Sequence, residues 1–211
     1  MNMSVRERQF AERNRADLNS FLKLFNPDEY LRSVTDIDLA ALKRRGIKAL
    51  LIDLDNTLVP WKSNVIYPKV AEWVQKAHHL GLKMCIVSNA GSRKRIQRLA
   101  KEFGIDYAKG PWKPRSGGFR SAMKLLGVGP KQSVVIGDQI FTDILGGNRL
   151  GLYTILVRPM HWREFAGTKI SRLFELILLN IFKTNEPCNP KTDRRGTIDA
   201  DRPSDENGGS I

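Results

Sequence analysis

Cysteine and histidine are scarce in this sequence, and neither is spaced for a disulfide framework or a zinc site. Only two cysteines occur in 211 residues, Cys85 within an apolar run and Cys188 in a polar stretch. This usage argues against a disulfide-stapled secreted domain and is typical of a reducing compartment, so we expect a cytoplasmic protein. The three histidines, His78, His79 and His161, lack metal-ligand spacing, and we expect them to be structural or surface residues.

A long hydrophobic run is also absent. The longest apolar stretch, residues 173–182, is interrupted by Glu175 and Asn180. It is much shorter than the ~20 apolar residues that a helix needs to span a bilayer. The first residues are polar and charged where the apolar core of a secretory signal would stand. We therefore expect neither a membrane span nor a secretory signal.

Acidic side chains are few relative to basic ones. The chain has 22 Asp+Glu against 35 Lys+Arg, a formal net charge of +13, and most of the excess lies in residues 51–150. A solvated lysine-rich surface would explain a smaller excess; this one indicates an anionic partner, namely a phosphorylated substrate, an anionic membrane or a nucleic acid. Charge alone does not choose among them. We expect Arg93, Lys94, Arg95 and Arg98 to form the solvated face of a helix.

Apolar patterning divides the chain into three parts. Residues 5–25 carry large apolar side chains at helical spacing, which predicts an N-terminal amphipathic helix within residues 1–26. Residues 27–184 are predicted to form one α/β domain. Residues 185–211 are rich in Asn, Pro, Asp, Arg, Gly and Ser, and we predict a disordered tail there.

Within the predicted domain, short apolar runs alternate with helical patterns. This alternation predicts a parallel sheet with right-handed crossovers. Strands are predicted at residues 47–53, 83–87, 105–108, 133–137 and 152–157. Helices are predicted at residues 68–80, 92–103, 118–126, 142–149 and 172–182.

The strongest chemical signal follows the first of these strands, where the sequence reads Asp53-Leu54-Asp55-Asn56-Thr57. Ligands bind at the carboxyl ends of strands in a parallel sheet. Two carboxylates one residue apart leave such a strand in different directions, so they can take different roles. The alternative interpretation is a polar turn with an Asx cap.

A second acidic strand end has Gly137-Asp138, with Asp143 five positions later. Alone, this pattern is also compatible with a structural turn. Together, three converging carboxylates cannot all stay ionised without a cation. Mg²⁺ prefers hard oxygen ligands such as carboxylates and backbone carbonyls, so the two strand ends predict a magnesium site.

Two weaker signals lie between the acidic strand ends. Ser88-Asn89 ends the second strand, and Lys113-Pro114 follows the third. A hydroxyl and nearby N–H groups can hold phosphate oxygens, and a lysine can neutralise their charge. Each pair alone is typical of a turn or a surface loop. Asp53, Ser88, Lys113 and Asp138 follow one another at intervals of one sheet crossover each. This order makes a shared functional site a better explanation than separate turns.

The four elements Asp-x-Asp-x-Thr, Ser-Asn, Lys-Pro and Gly-Asp-x-x-x-x-Asp, in this order, resemble the haloacid dehalogenase (HAD) superfamily of phosphatases. The run Pro27-Asp28-Glu29-Tyr30 and residues 46–59, 137–147 and 152–157 are similar to subfamily IIIA. Within it they resemble the YqeG-type branch, which includes phosphatidylglycerophosphate phosphatases. The resemblance covers residues 25–182 and implies a three-layer Rossmann-like α/β fold with a parallel sheet of strand order 3-2-1-4-5.

The resemblance also implies residue roles. Asp53 would be the nucleophile that forms an aspartyl-phosphate, and Asp55 the general acid and base. Mg²⁺ would be held by Asp53, the backbone carbonyl of Asp55, Asp138 and Asp143. The phosphate-binding group would be Thr57, which also fixes the turn, with Ser88, Asn89 and Lys113. Gly110-Pro111-Trp112 departs from the family pattern and leaves Lys109 open beside Lys113 for the lysine role, although the following proline favours Lys113.

The predicted substrate follows from the absence of a cap. The intervals between the motifs are used up by single crossovers, so no cap domain fits, and an open site suits large substrates. Trp61 and Trp112 flank the motifs and could rest at head-group depth. With the resemblance, this favours dephosphorylation of phosphatidylglycerophosphate to phosphatidylglycerol, peripheral contact with the inner face of an anionic membrane, and no nucleic-acid partner. The alternatives are a soluble phosphatase acting on a nucleic-acid end or small phosphomonoester, and a non-catalytic binding scaffold.

Overall fold

The computed structural model describes residues 20–89, 91–108, 110 and 113–160. Residues 1–19 of the predicted N-terminal helix, the helix predicted at 172–182 and the tail predicted at 185–211 lie outside these residues. The three-part division of the chain therefore stays a prediction.

The described end of the N-terminal segment packs onto the domain. Residues 20–23 are helical, and Phe25 is buried in a cluster with Ile140, Ile144 and Leu156. The rings of Phe25 and Phe141 meet edge to face with centroids 5.5 Å apart. None of the helices in the described residues has the length and hydrophobicity that a transmembrane span requires.

A parallel sheet forms the centre of the described structure. Its strands are β1 (Glu29–Leu31), β2 (Ala49–Ile52), β3 (Lys83–Ile86), β4 (Asp106–Tyr107), β5 (Ser133–Gly137) and β6 (Tyr153–Val157). The strand order in the described residues is β1-β6-β5-β2-β3-β4, with every neighbouring pair parallel. Numbered from β2, the last five strands have the predicted order 3-2-1-4-5, which is confirmed. The edge strand β1 was not predicted.

Helices cover both faces of this sheet. They are α1 (Leu39–Arg44), α2 (Pro68–His79), α3 (Arg93–Phe103), α4 (Gly117–Leu126) and α5 (Leu145–Asn148). The strand β2, Ala-Leu-Leu-Ile, is buried at every position, as expected for a central parallel strand covered on both faces. On one face Leu50 packs in a cluster with Leu99 of α3; on the other, Leu51 packs with Phe119 of α4. The three-layer architecture is confirmed.

One predicted helix differs from its prediction. Residues 142–149 were predicted to be a single helix, but the chain forms a π-helical turn at Ile140–Ile144 that leads into α5. Single π-helical turns within helices occur frequently at functional sites. The short helix α1, which Asp38 caps by accepting the N–H of Ala41 at 2.9 Å, was also not predicted.

The register of the central strands brings the sequence motifs to one edge. Ile52 of β2 lies opposite both Ile86 of β3 and Ile136 of β5. These strands therefore end level, and the residues that follow them meet at the carboxyl edge of the sheet. Because β2 and β5 are neighbours, the two acidic strand ends are adjacent in space.

Candidate active site

Three carboxylates converge at the carboxyl edge of the sheet. Asp53 follows β2, Asp138 follows β5, and Asp143 lies in the π-helical turn. One oxygen from each lies within 4.8 Å of the others, and all three side chains are buried. The structure thus brings together the three aspartates that the sequence predicted to converge.

A glycine makes room for one of these carboxylates. A Cβ atom on Gly137 would lie 2.3 Å from the carboxylate carbon of Asp143, so a side chain there would displace the aspartate. Asp143 is held against the strand because its Oδ2 accepts the main-chain N–H of Gln139 at 3.2 Å. The Gly-Asp-x-x-x-x-Asp spacing therefore serves packing as well as chemistry.

Lys113 joins two of the carboxylates. Its Nζ lies 2.5 Å from Oδ1 of Asp53 and 2.6 Å from Oδ1 of Asp143. Only 3% of its side chain is exposed, so the ammonium is shielded from solvent. Lys109, the alternative for the lysine role, lies outside the described residues.

Asn89 positions this lysine through the main chain. Its Nδ2 donates to the carbonyl oxygen of Lys113 at 3.2 Å, and its Oδ1 accepts the N–H of Lys113 at 2.8 Å. Both ends of the amide are therefore used to hold the loop that carries Lys113. Ser88, which precedes it, is partly buried at the end of β3.

The ammonium of Lys113 contacts two of the three carboxylates, those of Asp53 and Asp143, so negative charge exceeds positive charge at this buried contact. Burial raises the pKa of Asp53 to about 7, although the neighbouring Lys113 opposes this effect and Asp143 adds to it. Burial would lower the pKa of Lys113, but Asp143 and Asp53 together hold it above its usual value, so the ammonium stays protonated. A buried set of hard oxygen donors with excess negative charge fits Mg²⁺.

Asp55 lies in a different environment. The guanidinium of Arg95 donates from Nη1 to Oδ2 at 3.0 Å and from Nη2 to Oδ1 at 2.8 Å. The main-chain N–H of Lys62 also donates to Oδ1, at 2.9 Å. The second carboxylate of the Asp-x-Asp motif is therefore paired with an arginine and lies outside the cluster of three.

The prediction of a solvated face on α3 was right for three residues and wrong for one. Arg93, Lys94 and Arg98 are exposed, whereas the side chain of Arg95 is only 14% exposed. A signal for this was present in the sequence. Arg95 lies four residues before Leu99, which is fully buried, so helical periodicity places both on one face.

Thr57 lies in the turn that follows the two aspartates of the motif. Asn56 has a φ of 62°, a left-handed conformation that asparagine tolerates better than most residues. Its N–H donates to the carbonyl of Val59 at 2.7 Å. Thr57 is buried, and its Oγ1 has no hydrogen-bond partner among the described residues. The structure thus places Thr57 inside the turn.

Comparisons with known proteins agree with this geometry. A haloacid dehalogenase-like hydrolase family model matches residues 60–151. The chain is 37% identical over 161 residues to the probable phosphatase YqeG of Bacillus subtilis (strain 168), covering 76% of this chain and 93% of that protein.

Two further relatives are named for a lipid substrate. The chain is 29% identical to phosphatidylglycerophosphate phosphatase 1, chloroplastic/mitochondrial, of Arabidopsis thaliana, over 72% of this chain and 47% of that one. It is 28% identical to phosphatidylglycerophosphate phosphatase 1, chloroplastic, of Chlamydomonas reinhardtii, over 70% of this chain and 60% of that one. The chain therefore spans about half the length of these two relatives.

Proposed function

This chain belongs to the haloacid dehalogenase-like hydrolase family and is a phosphatase, and we propose that it dephosphorylates phosphatidylglycerophosphate through a covalent aspartyl-phosphate on Asp53. The observation that carries this proposal is the buried contact of Asp53 with Lys113 beside Asp138 and Asp143. The cluster combines a carboxylate nucleophile with a fixed positive charge and a set of oxygen donors for a metal.

In the first step, an oxygen of Asp53 forms a bond to phosphorus while the bond from phosphorus to the alcohol oxygen breaks. The departing oxygen takes the proton of Asp55, which would enter this step as a protonated carboxyl group and leave it as a carboxylate. In the second step, Asp55 takes a proton from a water molecule whose oxygen bonds to phosphorus. The bond to Asp53 then breaks, and inorganic phosphate leaves with the nucleophile restored.

The metal role falls to the acidic strand ends. Asp53, the main-chain carbonyl of Asp55 and Asp138 would hold Mg²⁺, with Asp143 supporting them. When bound, Mg²⁺ supplies positive charge that orients and neutralises the transferring phosphoryl group. Lys113 stays protonated in the same volume and adds a second positive charge there.

The remaining residues would hold the phosphoryl group or its binders. Ser88 would contribute its hydroxyl at the end of β3. Asn89 would act by holding the main chain of Lys113, with which it exchanges two hydrogen bonds. Thr57 would keep the turn that carries Asp55 in shape.

The open edge of the sheet supports a large substrate. In the described residues, a loop and α2 fill the connection from β2 to β3, and α3 fills that from β3 to β4, so neither of these two connections contains a cap domain. Closure of a loop or domain over a small substrate is one way in which enzymes exclude water from the reaction. A lipid head group presented by a membrane needs no such closure.

The surface beside the site has the exposed apolar and basic side chains expected of a protein that contacts an anionic bilayer. Val65 is 57% exposed and Tyr67 is 41% exposed in the segment of residues 60–67. Arg93, Lys94 and Arg115 are exposed in the described loops and helix starts at the same edge of the sheet. Basic residues attract anionic lipids, and apolar and aromatic side chains enter the interface. The two relatives named for phosphatidylglycerophosphate point in the same direction.

The test is phosphate release by the purified protein from phosphatidylglycerophosphate in mixed micelles. We expect release with Mg²⁺, none with excess EDTA, and none from the Asp53→Asn variant with Mg²⁺. Glycerol phosphate and a 5′-phosphorylated oligonucleotide serve as competing substrates. Faster turnover of either soluble substrate would overturn the lipid assignment, while dependence on Asp53 would still support the mechanism.

A further inference from the structure

We propose that Arg95 is a positioning residue for this reaction: its guanidinium fixes the direction of the Asp55 carboxylate by fastening it to the segment of residues 60–67. The inference rests on the proposed role of Asp55 as proton donor to the leaving group. It adds a residue that none of the four sequence motifs contains.

The contact between the two side chains is bidentate. Nη1 and Nη2 of Arg95 each donate to a different oxygen of Asp55, at 3.0 and 2.8 Å. Two parallel hydrogen bonds from a planar fork restrict rotation of the carboxylate, which a single point charge would not do. A lysine at this position would keep the charge and lose the planar geometry.

The same guanidinium is anchored on a second group. Nε of Arg95 donates to the carbonyl oxygen of Ser63 at 3.2 Å, and Nη2 donates to it as well. The neighbouring N–H of Lys62 donates to Asp55. Arg95, Asp55 and the main chain at residues 62–63 therefore form one closed network, which joins the start of α3 to the segment beside the site.

Burial makes this network more than a surface ion pair. The side chains of Arg95 and Asp55 are 14% and 10% exposed, so solvent screens the pair weakly. The four donations leave most of the fork engaged with protein groups. Arg95 is therefore arranged to hold Asp55 and not to receive the substrate phosphate.

Proton transfer to a leaving group requires hydrogen-bond reach and a defined direction. The ion pair with Arg95 is the form that Asp55 has once its proton has left, so the guanidinium stabilises the carboxylate as it forms and restricts its rotation. Removing Arg95 should therefore slow hydrolysis more when the leaving group needs a proton, because only the first step differs between substrates. This leaving-group dependence distinguishes positioning of Asp55 from a general structural role.

The experiment compares Arg95→Met and Arg95→Lys with the wild type on phosphatidylglycerophosphate in micelles and on p-nitrophenyl phosphate. The matched control is Arg98→Met, because Arg98 is exposed on the same helix. For Arg95→Met we expect kcat to fall about 10- to 100-fold on the lipid, less than the ~10²–10⁴-fold that general acid catalysis supplies, because Asp55 itself is still present. We expect kcat on p-nitrophenyl phosphate to fall less than about threefold, because the leaving group of this ester departs without a proton. The KM for each substrate should change little.

Arg95→Lys should restore part of the lipid rate, and Arg98→Met should match the wild type. The ratio of the two rates in one preparation does not depend on the folded fraction, so partial misfolding of Arg95→Met does not obscure the result. If Arg95→Met gives no folded protein, the ratio of the lipid rate to the aryl ester rate is measured for Arg95→Lys instead and should still be lower than in the wild type. In an Asp55→Asn background, Arg95→Met should cause less than about twofold further loss on the lipid, because coupled residues are non-additive.

Equal losses on both substrates, a loss confined to KM, or full additivity with Asp55→Asn would overturn the inference. These outcomes leave the proposed function standing as long as Asp53→Asn abolishes turnover. Retention of activity by Asp53→Asn would instead refute the proposed function, and the inference would fall with it.

Discussion

The two aspartates of the Asp-x-Asp motif lie one residue apart in sequence and enter unlike surroundings. Asp53 lies in a buried cluster with Asp138 and Asp143, where one lysine contacts two carboxylates, those of Asp53 and Asp143. Asp55 lies in a charge-balanced pair with Arg95. The first environment has excess negative charge and suits a cation and a phosphoryl group. The second has none, and its arginine stabilises the carboxylate that Asp55 becomes after it gives up a proton.

The two environments also differ in what holds them. The cluster is attached to the ends of central strands and to the turn before α5, which are packed on both sides. The pair is attached to α3 and to the loop segment 60–67, which has exposed side chains. A rigid support suits in-line attack on phosphorus, and a more exposed one suits contact with the variable part of the substrate.

The largest expected effect comes from removing the nucleophile from the cluster. Asp53→Asn should lower kcat by at least about 10⁴-fold, because the covalent route is lost and not merely one contact. The temperature of thermal unfolding should change little, because a neutral amide replaces a carboxylate whose burial cost is only partly offset by Lys113. Phosphate release and calorimetry measure the two quantities. Asp106→Asn, at an exposed position, is the control; near-normal turnover by Asp53→Asn would refute the mechanism.

The next effect should come from the other aspartate and should depend on the leaving group. Asp55→Asn should slow hydrolysis of an alkyl phosphomonoester by ~10²–10⁴-fold, because departure of the alkoxide needs a proton. Hydrolysis of p-nitrophenyl phosphate should fall much less. Parallel kcat measurements on the two substrates test this. An equal loss of kcat on both substrates would contradict the role of Asp55 as proton donor to the leaving group, and with it the division of roles between Asp53 and Asp55.

A third variant tests the charge imbalance through stability. Lys113→Met should lower the free energy of unfolding, measured without Mg²⁺, by about 3–5 kcal/mol, because it leaves buried carboxylates uncompensated. Adding Asp53→Asn to this variant should recover part of the loss. Lys101→Met, on the exposed face of α3, should be within about 0.5 kcal/mol of the wild type. An unchanged free energy of unfolding for Lys113→Met would contradict the imbalance.

The smallest expected effect concerns the exposed rim beside the paired aspartate. The protein should sediment with anionic vesicles and much less with neutral ones, and added salt should weaken this because exposed charges are screened over ~8 Å at physiological ionic strength. Arg93→Glu, near the site, should weaken binding about tenfold, since each basic residue at an anionic surface contributes ~1 kcal/mol. Lys131 precedes β5 at the opposite edge of the sheet, so Lys131→Glu should change vesicle binding little. Equal recovery with both vesicle types at low salt would remove the membrane from the proposal.

Much of the fold could be predicted from the chain. The strands β2, β3, β5 and β6 are buried and apolar, so their patterns stand out from the helices between them. The edge strand β1 is three residues long and only partly buried, so it has no comparable pattern. The π-helical turn before α5 has the composition of an ordinary helix. Its extra residue per turn shows only in the hydrogen bonds, because the N–H groups of Ile144 and Leu145 donate to the carbonyl oxygens five residues earlier, at Gln139 and Ile140.

Sequence alone determined which residue types stand at the strand ends, because burial of a central strand demands a continuous apolar run and its end is marked by the first charged residue. It therefore indicated Asp53, Asp138 and the chemistry of carboxylates near a cation. Only the tertiary structure decided the partners. Lys113 reaches Asp53 across 60 positions and Arg95 reaches Asp55 across 40. The physical reason is that the direction of a long side chain depends on what packs against it, and those neighbours come from elements that local sequence does not bring together.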